Sequence, residues 1–179
     1  MPELAEKYPS IEMRAEFRAH AWRVWAIALG VVLVWILFII APPFLITNGF
    51  ENLATQIYSF FSFICHQKPE RSFHILGYQF AVCSRCFGVY FGLLTGILTY
   101  PLWRKVDDVE PLPRFWLFLS MVPIAIDWSL GVFGIWENTH LSRFITGMIL
   151  GAACAIFIIP ALVEIVRNLT RRSLTVREG

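Results

Sequence analysis

Five side chains that can bind a metal ion or transfer electrons lie in one short stretch of the chain: Cys65, His66, His74, Cys83 and Cys86. Thiolate and imidazole are preferred ligands of Zn²⁺, and a structural zinc site takes four of them in a tetrahedron. The CxxC pair Cys83 and Cys86 has the spacing of a usual half-site. Because Cys65 and His66 are adjacent and cannot easily both ligate one ion, His74 is at least as good a fourth ligand as His66. The segment therefore predicts a metal site, with zinc as the expected ion.

Two other interpretations of the cysteines stay open. Cys83 and Cys86 begin an apolar helix whose N-terminal dipole favours thiolate, and Arg85 adds positive charge nearby. This pattern suits a membrane thiol–disulfide oxidoreductase in which Cys83 or Cys86 attacks, Cys65 resolves and a quinone takes the electrons. Alternatively, the cysteines only cross-link the outer loop through a structural disulfide in an oxidising compartment, and the protein is a structural or accessory membrane subunit. Cys154 lies in the middle of an apolar segment, where inert packing is expected.

A second group of chemically notable residues is charged. Asp127 falls well inside an apolar segment, where an ionised side chain is costly, faces the protein interior and needs a partner. Arg85 and Arg143 lie near the outer ends of two other apolar segments. They are therefore the counter-ions expected at the membrane depth closest to that of Asp127. We expect these three residues to form a polar pocket for an anionic small molecule or a lipid headgroup, or for metal-assisted chemistry. The alternative is a structural ion pair that locks the helices together.

The elements that position these residues follow from composition. Of the 179 residues, 57% are hydrophobic and 16% are charged, whereas soluble domains are about 45–50% apolar and about 25% charged. A chain this short cannot bury so much apolar surface inside itself, so the lipid bilayer is its expected partner. About 20 apolar helical residues cross a membrane. Four segments are long enough, and they cover residues 24–47, 83–103, 115–135 and 142–165.

The remaining segments complete an all-α, polytopic membrane fold. Residues 50–64 are apolar but too short to span, so they predict an interfacial or re-entrant helix before the cysteines. Residues 11–22 predict an amphipathic helix that leads into the first span. Pro42 and Pro43 are expected to kink or end the last turns of that span.

Basic residues predict the orientation, because cytoplasmic flanks of membrane spans are enriched in Lys and Arg. With four spans, three flanks share one side and contain Lys7, Arg14, Arg18, Arg23, Arg104, Lys105, Arg114, Arg167, Arg171, Arg172 and Arg177. The opposite side has only Lys68, Arg71, Arg85 and Arg143. We therefore expect a multi-pass protein of the cell membrane with both termini in the cytoplasm. The predicted divisions are a cytoplasmic amphipathic segment at 1–23, a four-helix domain at 24–166 with an outer Cys/His loop at 49–82, and a basic tail at 167–179.

Small residues predict how two of the spans pack. One face of the second span carries Gly88, Gly92 and Gly96, and one face of the fourth carries Gly147, Gly151 and Ala155. Small residues at this spacing let helix backbones approach closely in lipid. The second and fourth spans are therefore expected to pack together, although the same faces can instead join two copies into a homo-oligomer. The net charge of +2 does not suggest a nucleic-acid partner.

The strings CHQKPERSF and CSRCFGVYFG resemble the pattern of a prokaryotic membrane family called domain of unknown function 2085. Positions that match the later part of that pattern are Asp127, Asn138, Arg143, Thr146 and Gly147. The resemblance covers about residues 56–151. It implies a membrane architecture in which the cysteines, Arg85, Asp127 and Arg143 belong to one feature, and it implies no activity.

The architecture is also similar to that of quinone-linked disulfide oxidoreductases related to vitamin K epoxide reductase, although their second loop cysteine is missing here. No P-loop, Rossmann, GxSxG or HExxH motif occurs in a suitable structural context, so the sequence does not indicate an enzyme reaction.

Overall fold

The computed structural model describes residues 11–110 and 112–177. Within these ranges five α-helices and one β-hairpin form, with a single 3-10 turn at Pro69–Arg71 before the hairpin. The ends of the predicted terminal segments, residues 1–10 with Lys7 and residues 178–179, lie outside the described residues. In chain order the elements are α1 Ile11–Thr47, α2 Glu51–Ser62, β1 Ser72–Ile75, β2 Tyr78–Cys83, α3 Ser84–Trp103, α4 Phe115–Val132 and α5 His140–Arg177.

Four of the helices are long and apolar enough to cross a membrane, which confirms the predicted number of spans. These candidate spans are Arg14–Thr47 of α1, Ser84–Trp103 of α3, Phe115–Val132 of α4 and His140–Leu169 of α5. The helix α2 has 12 residues, too few to cross about 30 Å of hydrocarbon. Most of the described chain is therefore helical, and four of its helices have the length and hydropathy of membrane spans, as the composition indicates.

Helix α4 ends at Val132, earlier than the predicted residue 135. Gly134 adopts a left-handed backbone conformation with φ of 66°, which a glycine accepts without steric cost. The N–H of Ile135 then donates to the carbonyl of Leu130 at 3.1 Å, the bond that closes a Schellman helix end. Gly134 therefore stops the helix and turns the chain toward α5.

Helix α1 is continuous from the amphipathic segment into the span, with no break at residue 23. It also runs through Pro42 and Pro43 to Thr47, so these prolines do not end the helix. The side chains of Thr47 and Asn48 donate to the carbonyls of Pro43 and Phe44 at 3.1 and 2.7 Å. These bonds satisfy carbonyl groups at the end of the helix, which is required wherever backbone meets lipid.

Helices α3 and α5 pack together along the glycine faces, as predicted. A Cβ added at Gly92 would meet the carbonyl of Met148, and one added at Gly151 would meet the carbonyl of Val89. The missing side chains thus allow backbone-to-backbone contact between the two helices. Because these faces are filled within one chain, two copies could use them only if α3 and α5 separated.

A hairpin that the all-α prediction did not include joins α2 to α3. Strands β1 and β2 are antiparallel, with Ile75 paired to Tyr78. The two residues of the turn, Leu76 and Gly77, have φ of 56° and 85°, and positive φ at both positions is characteristic of a type I′ turn. The hairpin contributes Phe80, Ala81 and Val82 to a buried apolar cluster with α1 and α2.

A second apolar cluster lies at the opposite end of the bundle. It contains Ala21 of α1, Tyr100 of α3 and Val163 of α5. The guanidinium carbon of Arg167 also lies 5.4 Å from the ring centroid of Phe17. The start of α1 and the end of α5 are therefore neighbours, and the cysteine-bearing segments are at the other end, which we call the cysteine end.

Candidate metal centre and polar cavity

Three cysteines from three different segments meet at the cysteine end. Cys65 follows α2, Cys83 is the last residue of β2, and Cys86 lies in the first turn of α3. Their sulfur atoms all lie within 4.8 Å of one another, and all three are free thiols. The arrangement can hold one metal ion with three sulfur ligands. Cys154, on α5, is not part of this group.

A single glutamine fixes the loop that carries Cys65. The side-chain amide of Gln67 donates to the carbonyls of Tyr58 and Ala81, each at 2.8 Å. Gln67 also has a left-handed backbone, with φ of 48°, which turns the chain directly after Cys65. This residue therefore ties the loop to both α2 and β2.

Backbone N–H groups point at the sulfur of Cys65. The N–H of Cys83 donates to it at 3.2 Å and the N–H of Gln67 at 3.5 Å. Hydrogen bonds of this kind orient a thiolate ligand and support its negative charge when it binds metal. The pKa of the Cys83 thiol is held well below its usual value, because the side chains of Cys65 and Cys86 hydrogen-bond to its sulfur.

The two histidines of the predicted ligand set have different positions. His66 lines the cavity that the three cysteines also line. His74 lies exposed on β1, and its Nδ1 is 3.0 Å from the carbonyl oxygen of Ser72. Neither imidazole belongs to the close group of sulfur atoms among the described residues. The structure thus places His66, rather than His74, beside the cysteines.

Two of the three charged residues of the predicted pocket meet directly. The guanidinium of Arg85 forms an ion pair with the carboxylate of Asp127, which is buried in α4. Asn138 completes the arrangement by donating from its amide to Oδ2 of Asp127 at 3.0 Å and to the Asp127 backbone carbonyl. The predicted contact between Asp127 and an arginine is confirmed, and Arg85 is that arginine.

A cavity of about 510 Å³ is lined by the three cysteines and by Arg85 and Arg143, whereas Asp127 is not among its lining residues. Its wall is rich in basic side chains, and the cationic residues that line it are Lys68, Arg71, Arg85 and Arg143. Two buried serines hold the basic loop in place. Ser72 donates to the carbonyl of Lys68 and Ser84 to that of Arg71, each at 3.0 Å.

Sequence reasoning from chemistry alone missed Gln67 and Asn138 as parts of the site. Both act through hydrogen bonds to groups distant in sequence, so neither has a local pattern that shows its role. The available signals were the CHQ string for Gln67 and the family pattern for Asn138. Lys68 and Arg71 were noted only for orientation, and the structure adds them to the cavity wall.

Comparison with known proteins identifies the family of this chain. Residues 65–157 match a family model described as predicted membrane protein, domain of unknown function 2085. The chain belongs to this family. The matched range begins at Cys65 and includes all the residues of the cysteine group, the ion pair and the basic wall. The resemblance stated from the sequence is thereby confirmed.

Two archaeal relatives show the same similarity. An uncharacterised protein of Methanocaldococcus jannaschii is 38% identical over 120 residues, which are 67% of this chain and 77% of the relative. An uncharacterised protein of Methanothermobacter thermautotrophicus is 38% identical over 96 residues, which are 54% of this chain and 85% of the relative. No solved structure matches the chain.

Proposed function

We propose that this protein is a multi-pass protein of the cell membrane that holds a zinc ion with Cys65, Cys83 and Cys86, at the base of a cavity for an anionic ligand. The observation that carries the proposal is the group of three sulfur atoms within 4.8 Å of one another. Zn–S bonds of about 2.3 Å in a tetrahedron place sulfur atoms roughly 3.8 Å apart. The three thiols therefore need only small shifts to reach that geometry.

The fourth position of the proposed zinc ion faces the cavity, because all three cysteines line it. A site with three protein ligands keeps one position for water or a bound molecule. His66 is the histidine on the same wall and is the protein side chain we assign to approach this position. An anionic ligand in the cavity would lie beside this zinc site, against the basic wall, which would neutralise the ligand's charge.

We further propose that the cysteine end lies outside the cytoplasm and that both termini lie inside. The support is the distribution of Lys and Arg: the described basic residues of the α3–α4 connection, Arg104, Lys105 and Arg114, are at the end opposite the cysteines. Positive charge marks the cytoplasmic side of membrane spans. Reporter fusions after residues 77 and 110 test this: only the fusion at 110 should report a cytoplasmic position.

The test of the zinc site is the metal content of the full chain, purified in detergent without chelators or a histidine tag. We expect about one zinc per chain, as three thiolates in one tetrahedral site require. Cys83→Ser and Cys65→Ser should lose the metal, and Cys154→Ser is the matched control that should retain it. Metal-free wild-type protein, or equal zinc in the Cys65→Ser and wild-type proteins, would refute the proposal.

A thiol–disulfide oxidoreductase is the second candidate, favoured by the position of Cys83 at the N-cap of α3 beside two further thiols. Oxidation of Cys83 and Cys65 to a disulfide releases two electrons and two protons, and a quinone that accepts both becomes a quinol. This candidate predicts metal-free protein in which a short-chain quinone analogue oxidises two thiols per chain. Cys86→Ser should leave that reaction in place, whereas it should abolish zinc binding under the first candidate.

A further inference from the structure

We propose that the anionic ligand of the cavity is the phosphate monoester headgroup of a lipid, which enters sideways from the membrane between α4 and the segment after α2. This inference rests on the proposed anion-binding role of the cavity and adds the chemical class of the ligand. It does not depend on the zinc ion.

The charge of the wall calls for an anion with more than one negative charge. Asp127 neutralises Arg85, and Glu70 lies 3.9 Å from Arg71 with both side chains more than half exposed. Such an exposed pair contributes little. Among the described residues, Lys68 and Arg143 form no ion pair, so the cavity keeps an excess of positive charge.

The position of Arg143 strengthens this requirement. It lies within electrostatic range of two like charges, Arg71 and Arg85, and of one carboxylate, Asp127, which already pairs with Arg85; no carboxylate lines the cavity among the residues described. A phosphate monoester offers two negative charges and several acceptor oxygens, which suits clustered guanidinium groups.

One part of the cavity wall is apolar and includes residues of a candidate membrane span. Ile64 is 51% exposed, Trp128 is 58% exposed and Val132 is 59% exposed, and all three line the cavity. Trp128 and Val132 belong to the candidate span of α4, which packs mainly against α5. These exposed side chains give the cavity an apolar edge on the side of a candidate membrane span, which is where we place the entrance for the lipid.

The volume of the cavity favours the same ligand. At about 510 Å³ it is in the range that accommodates a drug-sized molecule, and it has far more space than one inorganic phosphate ion fills. A lipid phosphate places its headgroup at the basic wall while the beginning of its hydrocarbon chains contacts Trp128 and Val132. The basic part and the apolar part of the wall then each contact one part of the lipid.

The experiment measures thermal unfolding of the detergent-purified full chain with three probes. Dioctanoyl phosphatidic acid carries both phosphate and chains, dioctanoylglycerol carries the chains alone, and inorganic phosphate carries the anion alone. We expect phosphatidic acid to raise the Tm by roughly 5 °C at a hundredfold excess over its Kd, and the other two probes to have little effect. Arg143→Gln should weaken binding about tenfold or more, as the loss of a charged hydrogen bond implies.

Control variants keep the test independent of folding. The double variant Lys68→Gln, Arg71→Gln alters exposed loop side chains and should also weaken binding, while Lys105→Gln, at the other end of α3, should bind like wild type. An equal shift with inorganic phosphate would overturn the lipid assignment and leave the anion cavity intact. An unchanged Tm with both phosphatidic acid and inorganic phosphate would overturn the lipid assignment and the anion-binding cavity together. The same conclusion would follow if Arg143→Gln and the Lys68→Gln, Arg71→Gln double variant bound like wild type. Zinc measured in the same samples reports separately on the metal site.

Discussion

The guanidinium of Arg85 and the carboxylate of Asp127 form an ion pair that joins α3 to α4, between residues 42 positions apart in the chain. Most of the Asp127 side chain is buried, with 10% of its surface exposed. A charged pair in such a place requires both members, because either one alone is left unpaired in an apolar environment. The pair therefore fixes the position of α4, at the edge of the cavity.

Asp127→Asn should destabilise the protein by about 3–5 kcal/mol, because it leaves the Arg85 charge unpaired. Unfolding in detergent, followed by tryptophan fluorescence, measures this change. The double variant Arg85→Met, Asp127→Leu should be more stable than either single variant.

Asp108→Asn is the control variant. It breaks the partly exposed pair with Arg104 at 3.1 Å and should destabilise the protein by at most about 1 kcal/mol. Equal losses for Asp127→Asn and Asp108→Asn would contradict this account. If the Arg85 and Asp127 variants that remain folded still bind zinc and phosphatidic acid normally, the pair has a structural role only.

Asn138→Leu should destabilise the protein by about 1.5–3 kcal/mol, because hydrogen bonds to a charged carboxylate are lost. The destabilisation by Asn138→Leu should be smaller once Arg85 and Asp127 have both been replaced, because only its bond to the backbone carbonyl at position 127 is then lost. Asn48→Ala removes an exposed amide that donates to Phe44 at 2.7 Å and provides a control with a smaller loss. Additive effects of the Asn138 and Asp127 changes would show that the two residues are not coupled.

Gly92→Ala and Gly151→Ala should each destabilise the protein by about 1–3 kcal/mol, because overpacking forces two backbones apart. The added methyl groups would meet the carbonyl groups of Met148 and Val89, which cannot rotate away as side chains do. Gly30→Ala is the matched control, since a Cβ there meets nothing within 4 Å and alanine is the better helix former. Thermal unfolding of the three variants separates packing from helix propensity, and equal stability of all three would refute the close contact of α3 and α5.

Gln67→Ala should weaken zinc binding and loosen the loop, with a loss of about 1–3 kcal/mol for two amide hydrogen bonds. Hydrogen exchange at residues 64–72 measures the loosening, and competition with a chelator measures zinc affinity. Gln67→Asn tests the reach of the side chain, because asparagine tolerates the left-handed backbone but is too short to bond both carbonyls. Gln56→Ala, on the exposed side of α2, should change neither measurement. Unchanged exchange in both Gln67 variants would show that the loop is held by other contacts.

His66→Ala and His74→Ala distinguish the two candidate imidazoles. We expect the first to lower zinc affinity by about tenfold or more, because a ligand change alters the metal site directly, and the second to leave affinity within about twofold. Cobalt in place of zinc gives a second readout: its visible spectrum should shift in His66→Ala alone. The reverse pattern would restore His74 as the fourth ligand and would require β1 to move toward the cysteines.

The features that the sequence predicted well are those with local causes. The length and hydropathy of a segment decide whether it can span a membrane, so the four spans were found. A repeat of glycine every four residues lies on one helix face whatever surrounds it, so Gly88, Gly92 and Gly96 were assigned correctly to a packing face. The cost of a charge in hydrocarbon predicted that Asp127 would find an arginine.

The features that were missed depend on backbone details or long-range contacts. The hairpin turn has Leu76 at a position with positive φ, where Asn or Gly is the usual residue, so no turn pattern marked it. The end of α4 depends on the conformation of Gly134, which an apolar segment does not reveal. Pro42 and Pro43 lie inside α1, although proline removes a helix hydrogen bond, and the sequence alone does not show that the helix continues to Thr47.

The sequence by itself determined the membrane architecture, the family and the presence of three nearby cysteines, since these follow from composition, periodicity and short strings of residues. Only the tertiary structure decided that His66 and not His74 lines the cavity, that Arg85 and not Arg143 pairs with Asp127, and that Lys68 and Arg71 join the same wall. Each of these outcomes depends on the direction in which a side chain leaves its backbone. For the loop residues that direction is set by hydrogen bonds from Gln67 to Ala81 and from Ser84 to Arg71, and for Arg85 it is set by the packing of α3 and α4 against α5. These contacts join residues far apart in the chain.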